Sequence, residues 1–416
     1  ILCILIALPV GLAADKPRPE AEWPCFHGPE RDNKSNETGL LTEWPEDGPK
    51  LLWSADGLGK GYSGVAVAGG LIYSAGVIEG RTFVFAFDLD GKPRWRSPNG
   101  RAWSTVRPWA ARYAGSRATP TYDAGRIYHL ADLGRLACLD AATGKERWHR
   151  DLLEEFGGRK PKFGLAESVL IDGDRLFACP AGTKAYMVCL DKKTGKPLWT
   201  CDEIEGDVGY CSPVIAEFGG FRQVLSMSSE WLFGVDVETG RLLWKVPHRN
   251  NRENNATDPI FHKGHVFASS GYRRGCQLVK LTAEGEGEER TVEARQVWSN
   301  RLMDNHHGGL VLHEGHVYGA GHVSKGWFCL DLMTGKQRWN ADGKGAITYA
   351  DGMLYLLEED GRMRLVEATP KEFREAGSFQ VPSGGEGKHW AHPVVCGGRL
   401  YVRHADKLFA YDVKAD

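Results

Sequence analysis

Short apolar stretches separated by turns bearing Asp and Gly run along most of the chain, and one arrangement of them recurs. An apolar strand ends in Asp, a tight turn carries Thr-Gly-Lys or a relative, and a Trp follows in the next strand. Four copies match over nine positions: Asp140 to Trp148, Asp191 to Trp199, Asp236 to Trp244 and Asp331 to Trp339. Asp88 to Trp95 is one residue shorter. Asp hydrogen-bonds the turn backbone, Gly supplies the positive φ of a tight hairpin, and Trp offers a large face to the seam between sheets. These residues therefore read as structural. Upstream of each Asp lies another strand, Asp/Gly turn, strand pattern, as in Ser168-Val-Leu-Ile-Asp-Gly-Asp-Arg-Leu-Phe177. Four short strands per unit predict the blade of a β-propeller.

Inner three-strand sets end near Asp88, Asp140, Asp191, Asp236, Leu281, Asp331, Glu367 and Asp412, which makes eight. Outer strands are marked by Trp53, Trp95, Trp148, Trp199, Trp244, Trp298, Trp339 and Phe379, again eight but offset by one. The predicted fold is all-β: an eight-bladed propeller of four-stranded antiparallel blades spanning 50–416. The N-terminal strand around Trp53 joins the last blade and closes the ring, so no long sheet edge is left free. The fifth unit carries a charged insertion, Thr282 to Thr291, read as a solvated loop. Residues 15–49 are expected to form an extended arm strapped along the propeller.

Charge narrows the partners. The 52 Lys and Arg nearly balance 54 Asp and Glu, and no basic run resembles a phosphate-binding stripe, so nucleic acid is not expected. Residues 1–14, an apolar run ending Gly-Leu-Ala-Ala, read as an export signal truncated at its start. About 13 apolar residues are too few to span a bilayer comfortably, so no membrane span is expected in the mature chain. That chain is expected in the periplasm or outside the cell, as a monomer. Cys138, Cys189 and Cys329 hold one place in the repeat and read as small buried hydrophobes. Nine cysteines beyond the signal exclude a full disulfide framework but leave an isolated bridge open.

The Asp-x-x-Thr-Gly-Lys-x-x-Trp unit resembles the repeat of the pyrroloquinoline-quinone (PQQ) superfamily over nearly the whole mature chain. Trp23-Pro-Cys-Phe-His-Gly-Pro29, Gly48-Pro-Lys-Leu-Leu-Trp53 and Met303-Asp-Asn-His-His-Gly-Gly309 resemble envelope members common in planctomycetes. The superfamily holds calcium- and PQQ-dependent alcohol dehydrogenases as well as non-enzymatic propellers such as the outer-membrane barrel-assembly lipoprotein. Fold alone does not choose between them.

Loops leading into the innermost strands should ring one mouth of the central channel, the default binding site. They carry Tyr62-Ser63, Arg117 with Thr119, Glu167-Ser168, Tyr210 with Ser212, Asn254-Asn255 with Asp258, Asp304 to His307, Thr348, and His389 with His392. The resemblance implies that Glu167, Asn255 and Asp304 would hold calcium, with Asp304 the candidate catalytic base. It also implies Arg117 as partner of a PQQ carboxylate, with Asn255, His307 and His389 completing a cofactor pocket. The histidines His306, His307, His389 and His392 allow a transition-metal reading. Against it, neighbouring strand residues face opposite ways, so His306 and His307 are not expected to share the channel. The chain has no Cys-Cys pair, no Trp is expected in the inward loops to form a ring platform, and little sequence remains for a substrate cap. The preferred reading is an envelope propeller without cofactor that binds a protein, peptide or polysaccharide. The alternative is a PQQ- and calcium-dependent alcohol or sugar dehydrogenase.

Overall fold

The computed structural model describes residues 22–250, 252, 254–285 and 287–415. The stretch read as an export signal lies outside them. Eight blades of four antiparallel strands follow one another around a ring, one of them extended by a fifth, parallel strand. Blade one covers 66–101, blade two 121–151, blade three 170–201 and blade four 214–247. Blades five, six and seven cover 260–300, 310–341 and 345–380. Blade eight combines 394–412 with the strand Leu51–Ala55, which pairs with Lys407–Asp412 as its outermost member. The core lies between blades: Tyr128, Leu136 and Cys138 of blade two pack with Leu176, Val188 and Leu190 of blade three. Among the described residues no helix is long and apolar enough to cross a membrane.

The structure explains the recurring turn as a docking device. Asp191 Oδ1 accepts hydrogen bonds from the Thr194 backbone N–H and hydroxyl, both at 2.7 Å. Asp140, Asp236 and Asp331 do the same for Thr143, Thr239 and Thr334. Each turn then receives the indole of the preceding blade. Trp53 donates to Leu89 O at 2.9 Å, Trp95 to Ala141 O at 3.0 Å, Trp148 to Lys192 O at 3.1 Å and Trp199 to Val237 O at 3.0 Å. The turn glycine lies flat beneath that ring. At Gly195 φ is +72°, and a Cβ would fall 2.8 Å from the Trp148 indole. Gly195→Ala is thus expected to cost about 1–3 kcal/mol through left-handed strain plus overpacking. Urea unfolding checks this, and a variant as stable as the parent would sink the docking account.

Two irregular units show the same logic. Blade five lacks the Thr-Gly turn, so Trp244 turns back to its own blade and donates to Gln223 Oε1 at 2.7 Å. In blade eight the turn is split between the chain's two ends. Asp412 N donates to Lys50 O at 2.8 Å, as Asp191 N does to Lys196 O, and Gly48, at φ +79°, takes the glycine's place beneath Phe379. Gly48-Pro-Lys50 stands in for Thr-Gly-Lys.

One expectation is corrected. The insertion in blade five is a lengthened hairpin rather than a loop: Gly275–Glu284 pairs with Thr291–Asn300 as far as Glu284 opposite Thr291. Its alternation of exposed and buried residues fits a strand with one wet face. The isolated disulfide that the sequence left open is not found among the described residues, whose nine cysteines are all free and buried.

Candidate functional site

The inward loops form a belt before they form a site. Thr119 Oγ1 accepts from Gly64 N at 3.0 Å, and Thr119 N donates to Ser168 Oγ at 2.8 Å. Ser168 N donates to Ser212 Oγ at 3.0 Å, and Ser212 N to Asp258 Oδ1 at 2.6 Å. Thr257 reaches Asn305 Oδ1 at 2.8 Å, and Thr348 reaches Pro393 O at 2.6 Å. Each link joins one blade to the next, so much of the polar set expected at the mouth is structural.

The arm does more than strap the outside. Trp23 exchanges backbone hydrogen bonds with Val67 of blade one, and Tyr122 N of blade two donates to Pro24 O. Arg31, buried, donates to Ser168 O at 2.7 Å and Val169 O at 3.0 Å in blade three. His27 Nδ1 lies 3.1 Å from Asp258 Oδ2, and its Nε2 shares a hydrogen bond of 3.1 Å with His392. Lys34–Ser35 adds a short parallel strand to blade seven. The segment 23–35 thus ties together inner strands from all around the ring. Only after it does the chain run along blades seven and eight, where Leu41 N donates to Val413 O and Trp44 N to Ala376 O.

Above this segment lies a mouth cavity of about 710 Å³, with Phe26 and His392 among its lining. Its walls are aromatic. Trp390 stands parallel to Tyr113 (centroids 5.4 Å apart, planes 18° apart), 5.0 Å from Tyr62 and 4.5 Å from His307. The Arg117 guanidinium lies 5.6 Å from the Tyr62 ring centre, and Lys162 Nζ lies 5.7 Å from that of Phe163. Trp390 corrects the sequence reading, which passed over the Trp between His389 and His392.

Charge at the mouth is one-sided. Arg117, Lys162, Arg252, Lys344 and Lys388 line it, with Glu359 as the single carboxylate among the described residues. Glu359 is already engaged: Lys344 reaches it at 2.9 Å, Trp390 Nε1 donates to it at 3.0 Å and His307 Nε2 stands at 3.5 Å. Burial alone would raise its pKa, but hydrogen bonds from His307 and Lys344 hold it well below the usual carboxylate range. Lys344 also donates to His322 Nδ1 at 2.9 Å. Burial pushes His322 down to about 4, helped by Lys344, and takes His306 well below the imidazole range. The imidazoles are therefore neutral near pH 7, and the mouth's positive charge rests on Arg and Lys.

His306 and His307 both line this cavity, contrary to expectation, because the segment before Leu310 bends instead of continuing as strand. Arg117 lines it too, its guanidinium oriented by the carbonyls of Tyr113, Gly115 and Phe163. Glu167, Asn255, Asp304 and His389 are not among the lining side chains. Glu167 is buried and accepts from Cys179 N at 3.0 Å. The Asn255 amide donates to Ser228 O and His248 O, both at 2.7 Å. Asp304, fully buried, accepts from the backbone N–H groups of Arg273, His322, Val323 and Ser324. His389 stacks on His404 at 3.7 Å. The oxygens that would ligate calcium are thus already engaged: backbone N–H groups hold Glu167 and Asp304, and Asn255 Oδ1 accepts from Asn250 Nδ2 at 3.0 Å. Among the described residues no three His, Cys, Asp or Glu side chains are grouped to hold a metal. This donor set does not fit the calcium of a quinoprotein dehydrogenase, which needs several converging oxygens.

The family model described as outer membrane protein assembly factor BamB matches residues 81–341 and, overlapping, 293–372. The chain belongs to this PQQ-like repeat family. Its relatives fall on both sides of the division between enzyme and scaffold. The quinone-dependent 1-butanol dehydrogenase of Thauera butanivorans is 31% identical over 152 residues, 32% of this chain and 23% of that one. The chain therefore spans about a quarter of that relative's length. BamB of Moranella endobia is 23% identical over 260 residues, 61% of this chain and 65% of that one. The crystal structure of BamB from Moraxella catarrhalis superposes with a TM-score of 0.59 at 15% identity, covering 88% of this chain and 99% of that one. Quinohemoprotein alcohol dehydrogenase from Comamonas testosteroni gives 0.52 at 14% identity, covering 95% and 81%. At these identities the PQQ-like repeat protein shares the fold with both.

Proposed function

We propose that this protein is a non-catalytic binding module of the cell envelope that holds an acidic, ring-bearing ligand at its central mouth. One observation carries the reading. Among the described residues, the mouth sets aromatic faces beside five cationic side chains, and the one carboxylate among them is already paired. A ligand with a flat apolar face and negative charge complements such a wall, through stacking and through ion pairs strengthened by partial burial. Relatives among outer-membrane assembly factors support the envelope location.

A second reading, PQQ held at the same mouth, is favoured by the Trp390 face close to Arg117 and by the quinone-dependent relatives. PQQ would supply two-electron oxidation of an alcohol or sugar when bound. Arg117 and Lys344 would face its carboxylates, and Trp390 and Tyr113 its ring.

Calorimetric titration with trigalacturonate, and separately with PQQ with and without calcium, distinguishes the two. The expected result is saturable trigalacturonate binding that Trp390→Ala weakens at least about tenfold, the scale of losing a buried aromatic anchor. Binding of PQQ that requires calcium would favour the enzyme. Failure of the folded protein to bind either ligand would reject the mouth as a site.

A further inference from the structure

The mouth does not end at its own rim. A second cleft of about 510 Å³ adjoins it, sharing Trp109, Lys162, Tyr210 and Arg252 with the first. Its remaining walls come from the loop after blade one, with Trp103 and Arg107, the loop after blade two, with Arg159 and Lys160, and from blade three and the loop after it, with Ala181 and Asp207. The two loops are pinned to each other: Trp103 Nε1 donates to Pro161 O at 3.1 Å, and Lys160 Nζ to Ser104 O at 2.9 Å. The cleft is thus preformed.

Its chemistry repeats that of the mouth. Lys160 Nζ lies 6.0 Å from the Trp103 ring centre, beside the Lys162–Phe163 pair, and Trp109 meets Phe163 edge-on at 6.1 Å. Among the described residues Asp207 is the one carboxylate lining the cleft, and Arg159 pairs with it at 3.2 Å. Arg107, Lys162 and Arg252 have no ion-pair partner among the described residues. Cationic groups beside flat rings therefore continue from the mouth outward, in a chain whose net charge is only −2.

We propose that the two cavities form one continuous groove for an acidic polysaccharide, one sugar segment at the mouth and its continuation over Trp109 and Arg107. This rests on the mouth-binding reading above and names its ligand class. Each cavity alone has the volume of a site for a drug-sized molecule, so a single small ligand leaves the second without an occupant. A uronate or sulfated sugar presents a C–H face for each ring and an anion for each neighbouring cation. An anionic bilayer cannot enter concave clefts. An acidic peptide matches the charge but has no ring to lay on each indole at every step.

The test compares long-chain polygalacturonate, trigalacturonate, poly-glutamate and neutral dextran by calorimetry, on the full chain and on Arg107→Ala/Arg159→Ala. Both arginines are exposed and outside the mouth, and thermal unfolding of the double variant confirms that it folds. The polymer is expected to bind at least about tenfold more tightly than trigalacturonate, a difference the double variant removes while leaving trigalacturonate unchanged. Binding should also fall with added salt, and dextran should not bind. Equal affinity for polymer and trimer, or a double variant that still favours the polymer, overturns the groove and leaves mouth binding standing. Failure of both uronates to bind the folded protein rejects both readings. Poly-glutamate binding as tightly as polygalacturonate overturns the glycan in favour of an acidic peptide.

Discussion

Replacing Arg403 with Met is expected to lower the unfolding free energy by about 3–5 kcal/mol, among the largest single losses this ring can suffer. Arg403 sits on the strand Arg399–His404 of blade eight, 1% exposed, with its guanidinium inside blade one. Nη1 donates to Ser74 Oγ at 2.9 Å, Ser63 O at 3.2 Å and Ala75 O, while Nη2 reaches Gly59 O at 3.3 Å. Nε donates to Ala405 O at 3.1 Å. Burial lowers its pKa to about 9, so it remains charged at neutral pH. Met keeps most of the apolar stem but leaves several buried acceptors without a donor, each costing about 1–3 kcal/mol. Arg403→Lys keeps one charged donor group and should fall between parent and Met. Since the lost bonds span the closing seam, amide exchange should accelerate first in blades one and eight. A loss under about 1 kcal/mol, or exchange accelerating equally in all blades, would show that Arg403 does not hold the ring shut.

The repeat was legible because its chemistry is local: Asp, Gly and Trp fall within nine residues, and the structure uses each of them at the seam the sequence suggested. Closure was legible from the offset between inner and outer strand markers, although Gly48 replacing the missing turn glycine was not, because its partner Phe379 is distant in sequence. Arg403 gave no signal, since one Arg within Leu-Tyr-Val-Arg-His reads as an ordinary solvent-facing position. At the mouth, residue type alone could not separate a ligand group from a belt group. Ser168, Ser212 and Asp258 have the same polar character whether they face a ligand or the next blade's backbone. Trp390 stands between His389 and His392, where the polar histidines mask a ring that lines the cavity. The role of 23–35 at the channel depends on contacts with distant blades and has no local pattern.

Glu167→Gln is expected to stabilise the protein increasingly as pH rises, and the sign of that effect decides whether Glu167 can serve as an ion ligand. Glu167 is buried, and desolvation raises its pKa to about 8, against the lowering pull of Cys179 N–H and Arg31. Between the ordinary value of 4.5 and about 8, the folded protein keeps a proton that the unfolded chain releases. Stability therefore falls with pH across this window, by up to about 1.4 kcal/mol per pH unit, and the contribution is flat above it. Gln cannot ionise, yet its carbonyl still accepts from Cys179 N. The variant should thus match the parent near pH 5 and exceed it by a few kcal/mol near pH 8, measured by urea unfolding across that range. Such a widening gap means that Glu167 is protonated at neutral pH, a form that binds a hard cation poorly. A gap that does not change with pH would mean an ionised carboxylate in the folded state. Glu167 would then regain its place as a candidate calcium ligand, and the dehydrogenase reading would gain an anionic oxygen besides the paired Glu359.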